Sequence, residues 1–161
     1  MQRVLRSSEA SEEEQDLKKI LVATDGSEGA GRAIDYAARL AMERGAVLLI
    51  VSILGGYGLP GNAFRRLSDA RQAWFKELLE SVTSQALMQA RDRALKAGAP
   101  HVLLESRGGD VAPAILKIAQ ESEADLVVVG KRGAGRVGGL LLGSVSQRLV
   151  SLARLPVTVV P

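Results

Sequence analysis

The sequence predicts an α/β fold: a doubly wound, five-stranded parallel sheet with helices on both faces. Three observations carry that expectation. Short aliphatic runs recur five times, with helical spacing between them. The runs are continuous rather than alternating, which is how strands buried on both faces read. Apolar residues make up 47% of the chain but aromatics only 3%, so the core is built from Val, Leu, Ile and Ala. A chain of 161 residues is large enough to bury one such core.

The elements follow in order. Residues 1–17 are polar and acidic without sustained periodicity, the pattern of a mobile tail, and the domain proper spans 18–161. Lys18–Thr24 (KKILVAT) is the first strand, broken by Asp25-Gly26-Ser27. Ala30–Arg44 has helical spacing through Ile34, Ala37, Ala38 and Ala41, and Gly45 stands where a helix-ending residue belongs. Ala46–Leu54 is the second strand, followed by the turn-rich GGYGLPGN at 55–62. A long helix is expected from Phe64 to Ala97, with Trp74 and Leu78 read as packing residues, closed by Gly98 and Pro100. His101–Glu105 is a short third strand, and His101 reads as a strand-start residue rather than a catalytic base. Asp110 is expected to cap a helix from Val111 to about Glu121, with Pro113 tolerated in its first turn. Leu126–Val129 is the fourth strand, a helix runs from Ser144 to about Ala153, and Val157–Val160 is the fifth strand.

Composition excludes several classes of function. The chain has no cysteine, so disulfides and thiol chemistry are out and a cytoplasmic setting is expected. No apolar run approaches the ~18 residues of a membrane span, and the N-terminus lacks the apolar core of a signal peptide. The net charge is +3 but unevenly spread. Residues 1–17 hold five carboxylates against two arginines, whereas beyond Asp125 only Lys131, Arg132, Arg136, Arg148 and Arg154 are charged. A basic C-terminal third attracts phosphate. No aromatic for base stacking lies within it, which argues against nucleic acid.

The stretch from Asp125 to Ser146 carries the function. A buried strand runs into glycines at 130, 133, 135, 138, 139 and 143 interleaved with Lys131, Arg132 and Arg136, and then into a helix with Ser144 expected at its N-cap. Glycine lets backbone N–H groups curl around an anion, and a helix start adds unpaired donors and a positive dipole end. In a doubly wound sheet ligands bind beyond the strand C-termini, where the winding reverses. If the first and fourth strands are neighbours there, Asp25 and the glycine loop face one crevice. Gly133-x-Gly135-x-x-Gly138 formally matches a dinucleotide fingerprint, but no acidic residue follows to hold a ribose and the helix starts too late. A Walker loop fails because Ser144-Val145 follows Gly143 in place of Lys-Ser or Lys-Thr.

The spacing Gly130-x2-Gly133-x9-Gly143-Ser144, with the opening ILVATDGS, resembles the universal stress protein family over about residues 18–161. The resemblance implies an ATP-binding member with strand order 3-2-1-4-5, dimeric through its last strand. By position it implies Asp25 on the ribose hydroxyls, Ala23 against the adenine, and Val51 meeting the adenine edge through its backbone. Gly130 to Gly133, with Lys131 and Arg132, would wrap the phosphates, closed from the helix start by Gly143, Ser144, Val145 and Ser146. Alternatives stand beside these roles. Asp25 or Ser27 can cap the first helix, and Lys131 and Arg132 can be solvated charges. The function implied is a stress-response sensor or regulator holding ATP, with Mg²⁺ as its companion ion. The competing readings are slow ATP hydrolysis or autophosphorylation on Ser144 or Ser146, and a dimeric partner-binding module whose nucleotide is structural. ATP is not separated from AMP or a cyclic nucleotide by sequence.

Overall fold

The computed structural model describes residues 17–54, 68–133 and 142–161. Five strands and four helices alternate: β1 (Lys19–Ala23), α1 (Glu28–Arg44), β2 (Val47–Leu54), α2 (Asp69–Lys96), β3 (His101–Gly108), α3 (Val111–Glu121), β4 (Leu126–Gly130), α4 (Ser144–Leu152) and β5 (Val157–Val160). All pairings are parallel, and the sheet order is β3-β2-β1-β4-β5. The winding reverses between β1 and β4, where Ile20, Leu21 and Val22 pair with Leu126, Val127 and Val128.

Alternate strand residues feed two aliphatic cores. Ile20, Val22, Leu48, Ile50, Leu126 and Val128 face α1 and α2. Leu21, Leu49, Val51, Ile53, Val127 and Val129 face α3 and α4. The sheet side of α1 is nearly all alanine, with Ala33, Ala37, Ala38 and Ala41 fully buried, so this helix sits close on the strands. Its ends follow the sequence signals: the Ser27 hydroxyl accepts from the Ala30 N–H, and Gly45 adopts φ 65°.

Three expectations change. β3 continues beyond Glu105 through Ser106, Arg107 and Gly108, paired with Ser52, Ile53 and Leu54. Its polar end is hidden to an apolar pattern because β3 is an edge strand, braced by Arg107 between Glu105 (2.7 Å) and Glu121 (2.6 Å). Asp110 occupies the N-cap position of α3 without a side-chain capping bond. Trp74 and Leu78 do not pack: they are 64% and 44% exposed, and α2 buries only Thr83, Leu87, Ala90 and Ala94. The reason is length. A helix of 28 residues spans ~42 Å, whereas an eight-residue strand covers only ~26 Å, so the first half of α2 overruns the sheet. The expected start of this helix, at 64–67, lies outside the described residues.

α1 and α2 are tied by a bidentate pair in which Arg93 donates to both oxygens of Asp35, at 2.7 and 2.6 Å. The hydrogen bonds from Arg93 hold the Asp35 carboxyl below its usual 3.8. A carboxyl lowered on folding stabilises the fold above its unfolded value, and that contribution is lost as pH falls through its folded value. Asp35→Asn is therefore expected to cost up to ~1 kcal/mol at pH 7. Below pH 4 the gap to wild type should shrink, as read by urea unfolding at both pH values.

Candidate functional site

The site forms where β1 and β4 end side by side. After Ala23 the chain turns through Thr24, Asp25 and Gly26, the last at φ 77°, a left-handed conformation that favours glycine. The Thr24 Oγ1 accepts from the Gly26 N–H (3.2 Å) and the Asp25 Oδ1 from the Ser27 N–H (2.9 Å). Ser27 is thus the cap of α1, and Asp25 braces the turn that leads into it. The second carboxylate oxygen, Oδ2, sits where a Cβ on Gly133 would project. Residues 108 positions apart thereby meet as carboxylate against bare backbone.

Backbone contact brings them together. A Cβ on Gly130 would lie 2.7 Å from the Gly29 carbonyl carbon, and one on Gly29 would lie 2.5 Å from the Arg132 oxygen. The first turn of α1 therefore packs directly on the end of β4. The Lys131 carbonyl is the second junction. It accepts from the Gly143 N–H (2.8 Å) and the Ser146 hydroxyl (3.0 Å), while the Lys131 N–H donates to Val160 (2.6 Å). Both ends of the glycine-rich stretch are thus joined at one point. Gly135, Arg136, Gly138 and Gly139 lie outside the described residues.

The start of α4 differs from expectation by one residue. Gly143 is the N-cap and Ser144 the first helical residue, exposed. The first intrahelical bond is the Gln147 N–H to the Gly143 oxygen at 2.9 Å. The N–H groups of Ser144, Val145 and Ser146 precede it and belong to the turn that a helix cannot satisfy internally. Ser146 is 2% exposed, and its hydroxyl is directed to the carbonyls of Lys131 and Gly143. It positions the loop, so its side chain is not open to an incoming phosphate.

A cleft of about 70 Å³ opens between these parts. Its apolar wall is Ala23, Val111, Ile115, Val129 and Val145, and its polar rim is Thr24, Asp25, Arg132 and Gly133. Val111 and Ile115 escape sequence reasoning because apolar residues one turn apart on α3 read as ordinary core. Gly29 escapes it because a glycine inside a helical pattern has no spacing signal. Lys131 is half-buried and Arg132 exposed at the mouth.

Val51 lies inside β2 with its carbonyl accepting the Thr24 N–H at 2.8 Å, so that acceptor is already engaged by the ladder. Val47 also bonds toward β1, its N–H donating to Lys18, and alternate residues of a strand share an edge. Ile53 is the next residue on that edge, beyond the point where β1 stops opposite Val51. His101 begins β3 at the other end of the sheet, remote from the cleft. On the outer side Arg148 donates to both oxygens of Asp110, at 2.8 and 2.9 Å, tying α4 to the head of α3. These hydrogen bonds lower the Asp110 carboxyl from its ordinary value. Among the described residues no cluster of three or more His, Cys, Asp or Glu could hold a metal, and no helix is long and apolar enough to cross a membrane.

The sequence profile of the universal stress protein family matches residues 16–161. The chain belongs to that family. A Thermus aquaticus relative, a universal stress protein in the QAH/OAS sulfhydrylase 3′ region, is 37% identical over 147 residues, covering 89% of this chain and 98% of its own. The universal stress protein UspA of Lactobacillus plantarum superposes with a TM-score of 0.75 at 25% identity, covering 90% of this chain and 98% of its own. A universal stress protein solved in complex with cAMP superposes at 0.63 with 26% identity, covering 90% and 97%.

The Gly29–Gly130 approach gives a direct test. Gly130→Ala places a methyl against immovable backbone, and overpacking of this kind costs ~1–3 kcal/mol. Chemical denaturation is expected to show that loss. A loss below ~0.5 kcal/mol, the range of ordinary surface substitutions, would mean that the two segments separate easily.

Proposed function

We propose that this chain binds an adenine nucleotide, ATP foremost, across the Asp25–Gly133 junction and acts as a nucleotide-dependent regulator in the cytoplasm. The observation that carries this is the meeting of the Asp25 carboxylate with Gly133 beside the open first turn of α4. The cAMP complex of a relative, at 26% identity, supports the ligand class.

The parts fit such a ligand by chemistry. The Asp25 carboxylate accepts from ribose hydroxyls. Ala23, Val111 and Val145 offer an apolar wall to the base, and the backbone edge of Ile53, rather than that of Val51, meets its polar atoms. The N–H groups of Ser144 and Val145 face the phosphates, with Gly133, Lys131 and Arg132 on the opposite side. A cleft of about 70 Å³ is far below the ~300–1,000 Å³ of a pocket that encloses a small molecule, so the nucleotide lies across its mouth. Mg²⁺ would be held by the phosphates and water, with Asp25 the nearest carboxylate on the rim.

Magnitudes favour holding the nucleotide over rapid turnover. A helix N-terminus contributes ~0.3–2 kcal/mol to an anion and each charge-assisted hydrogen bond ~1.5–3 kcal/mol. A few such contacts reach the ~8 kcal/mol of a micromolar site. Hydrolysis would further require a positioned water and a base. Ser146 is too buried to accept a phosphoryl group, which leaves Ser144 as the residue for any autophosphorylation.

Calorimetry with ATP is expected to give saturable binding, weakened at least tenfold by Asp25→Ala and by Gly133→Val, with unchanged circular dichroism. No heat at millimolar ATP would end the proposal, and unaltered affinity in both variants would move the site elsewhere. We also propose a homodimer through β5, which among the described residues pairs with β4 on one side only. Light scattering is expected to give twice the chain mass of 17.0 kDa. A monomer at high concentration, with and without ATP, would remove the dimer.

A further inference from the structure

We propose that the groove between α1 and α2 is a second ligand site, one that takes a small organic anion with an apolar body. It lies on the sheet face opposite α3 and α4 and has a volume of about 660 Å³, large enough for a small molecule. Its floor is made of small and aliphatic residues, Gly31, Ile34, Ala86, Ala90 and Ala97. The Arg93 guanidinium lies over Gly31, and the other floor residues line the groove beside it.

The charged wall is unbalanced. Five ionic groups line it: Asp35, Arg39, Asp92, Arg93 and Lys96. Arg93 gives two hydrogen bonds to Asp35, and Arg91, from outside the groove, holds Asp92 at 2.9 Å. Both carboxylates are therefore matched by arginine. Arg39 lies near Asp35, but both oxygens of that carboxylate are already taken by Arg93, and Lys96 forms no ion pair among the described residues, so positive charge is in excess along the wall. An anionic head placed between these two cations leaves its apolar body over Ile34 and the alanines. A cationic or neutral ligand of the same shape would gain only the apolar part. Carboxylates and phosphate monoesters share this chemistry.

The groove is separate from the nucleotide cleft. Thr24 contributes to both, but Asp25 and Gly133 belong to the cleft alone and Arg39, Arg93 and Lys96 to the groove alone. The site therefore stands or falls independently of ATP binding.

Amide NMR of the full chain, titrated with octanoate, octyl phosphate and octylamine, tests it. Saturable shifts are expected at Gly31, Ile34, Ala86, Ala90 and Ala97 with both anions, and none with the amine. Tighter binding of octyl phosphate would assign the site to phosphate monoesters, and equal or tighter binding of octanoate to carboxylates. Arg39→Glu combined with Lys96→Glu is expected to weaken anion binding at least tenfold while ATP affinity stays at the wild-type value. Both side chains are exposed, and the single variants Arg39→Gln and Lys96→Gln serve if the double variant unfolds. Four results would overturn the proposal: no saturable shift, shifts centred on Asp25 and Gly133, equal binding of octylamine, or undiminished binding by the charge variants.

Discussion

The contact between the first turn of α1 and the end of β4 is the constraint on which the candidate site depends. Gly29 and Gly130 meet there backbone to backbone, and the Arg132 carbonyl closes over Gly29. Any side chain at either position would wedge α1 away from the loop. The rest of the fold permits this approach. β1 and β4 are neighbours because the winding reverses between them, and the alanine face of α1 lets it lie low on the sheet. Low helix and adjacent strands together bring Asp25 onto Gly133.

A site assembled from backbone has consequences for how it is held. Its fixed donors and acceptors are peptide groups, whose positions follow from the elements that carry them. The Lys131 carbonyl accepts from one of these, the Gly143 N–H, and from the Ser146 hydroxyl, while the Lys131 N–H anchors to β5. The buried serine hydroxyl thus adds a second donor to a carbonyl that the Gly143 N–H already engages. Side chains are left to line and charge the cleft: aliphatic residues from α3 and α4 on one wall, and Asp25, Lys131 and Arg132 at the mouth.

Much of this was legible in the sequence. Continuous aliphatic runs located all five strands, since strands buried on both faces carry no polar alternation to confuse with helix. The family likeness carried the strand order, and the glycine spacing marked the loop. Other features were illegible for physical reasons. The polar end of β3 pairs through its backbone, which apolar patterning does not register. The Trp74 and Leu78 stripe has core spacing but lies on the overhanging part of α2, and spacing does not encode where a sheet ends. Ser144 looked like a cap because serine favours that place, yet Gly143 fills it and Ser144 starts the helix. That the Val51 carbonyl is taken by the Thr24 N–H depends on the rung at which β1 stops, which a sequence does not show.

The state of the carboxylates bears most directly on what such a cleft does. A general base needs an accessible lone pair and a pKa near the working pH. Asp110, at the head of α3, is gripped by Arg148 on both oxygens and lowered from its ordinary range, which moves it away from proton transfer. Asp25 has one oxygen committed to the Ser27 N–H and the other seated on Gly133. Among the described residues that line the cleft Asp25 is the acid, and the other polar groups are the Arg132 cation, the Thr24 hydroxyl and peptide groups. A surface composed in this way has the acceptor, the cation and the peptide donors that the proposed nucleotide role calls for.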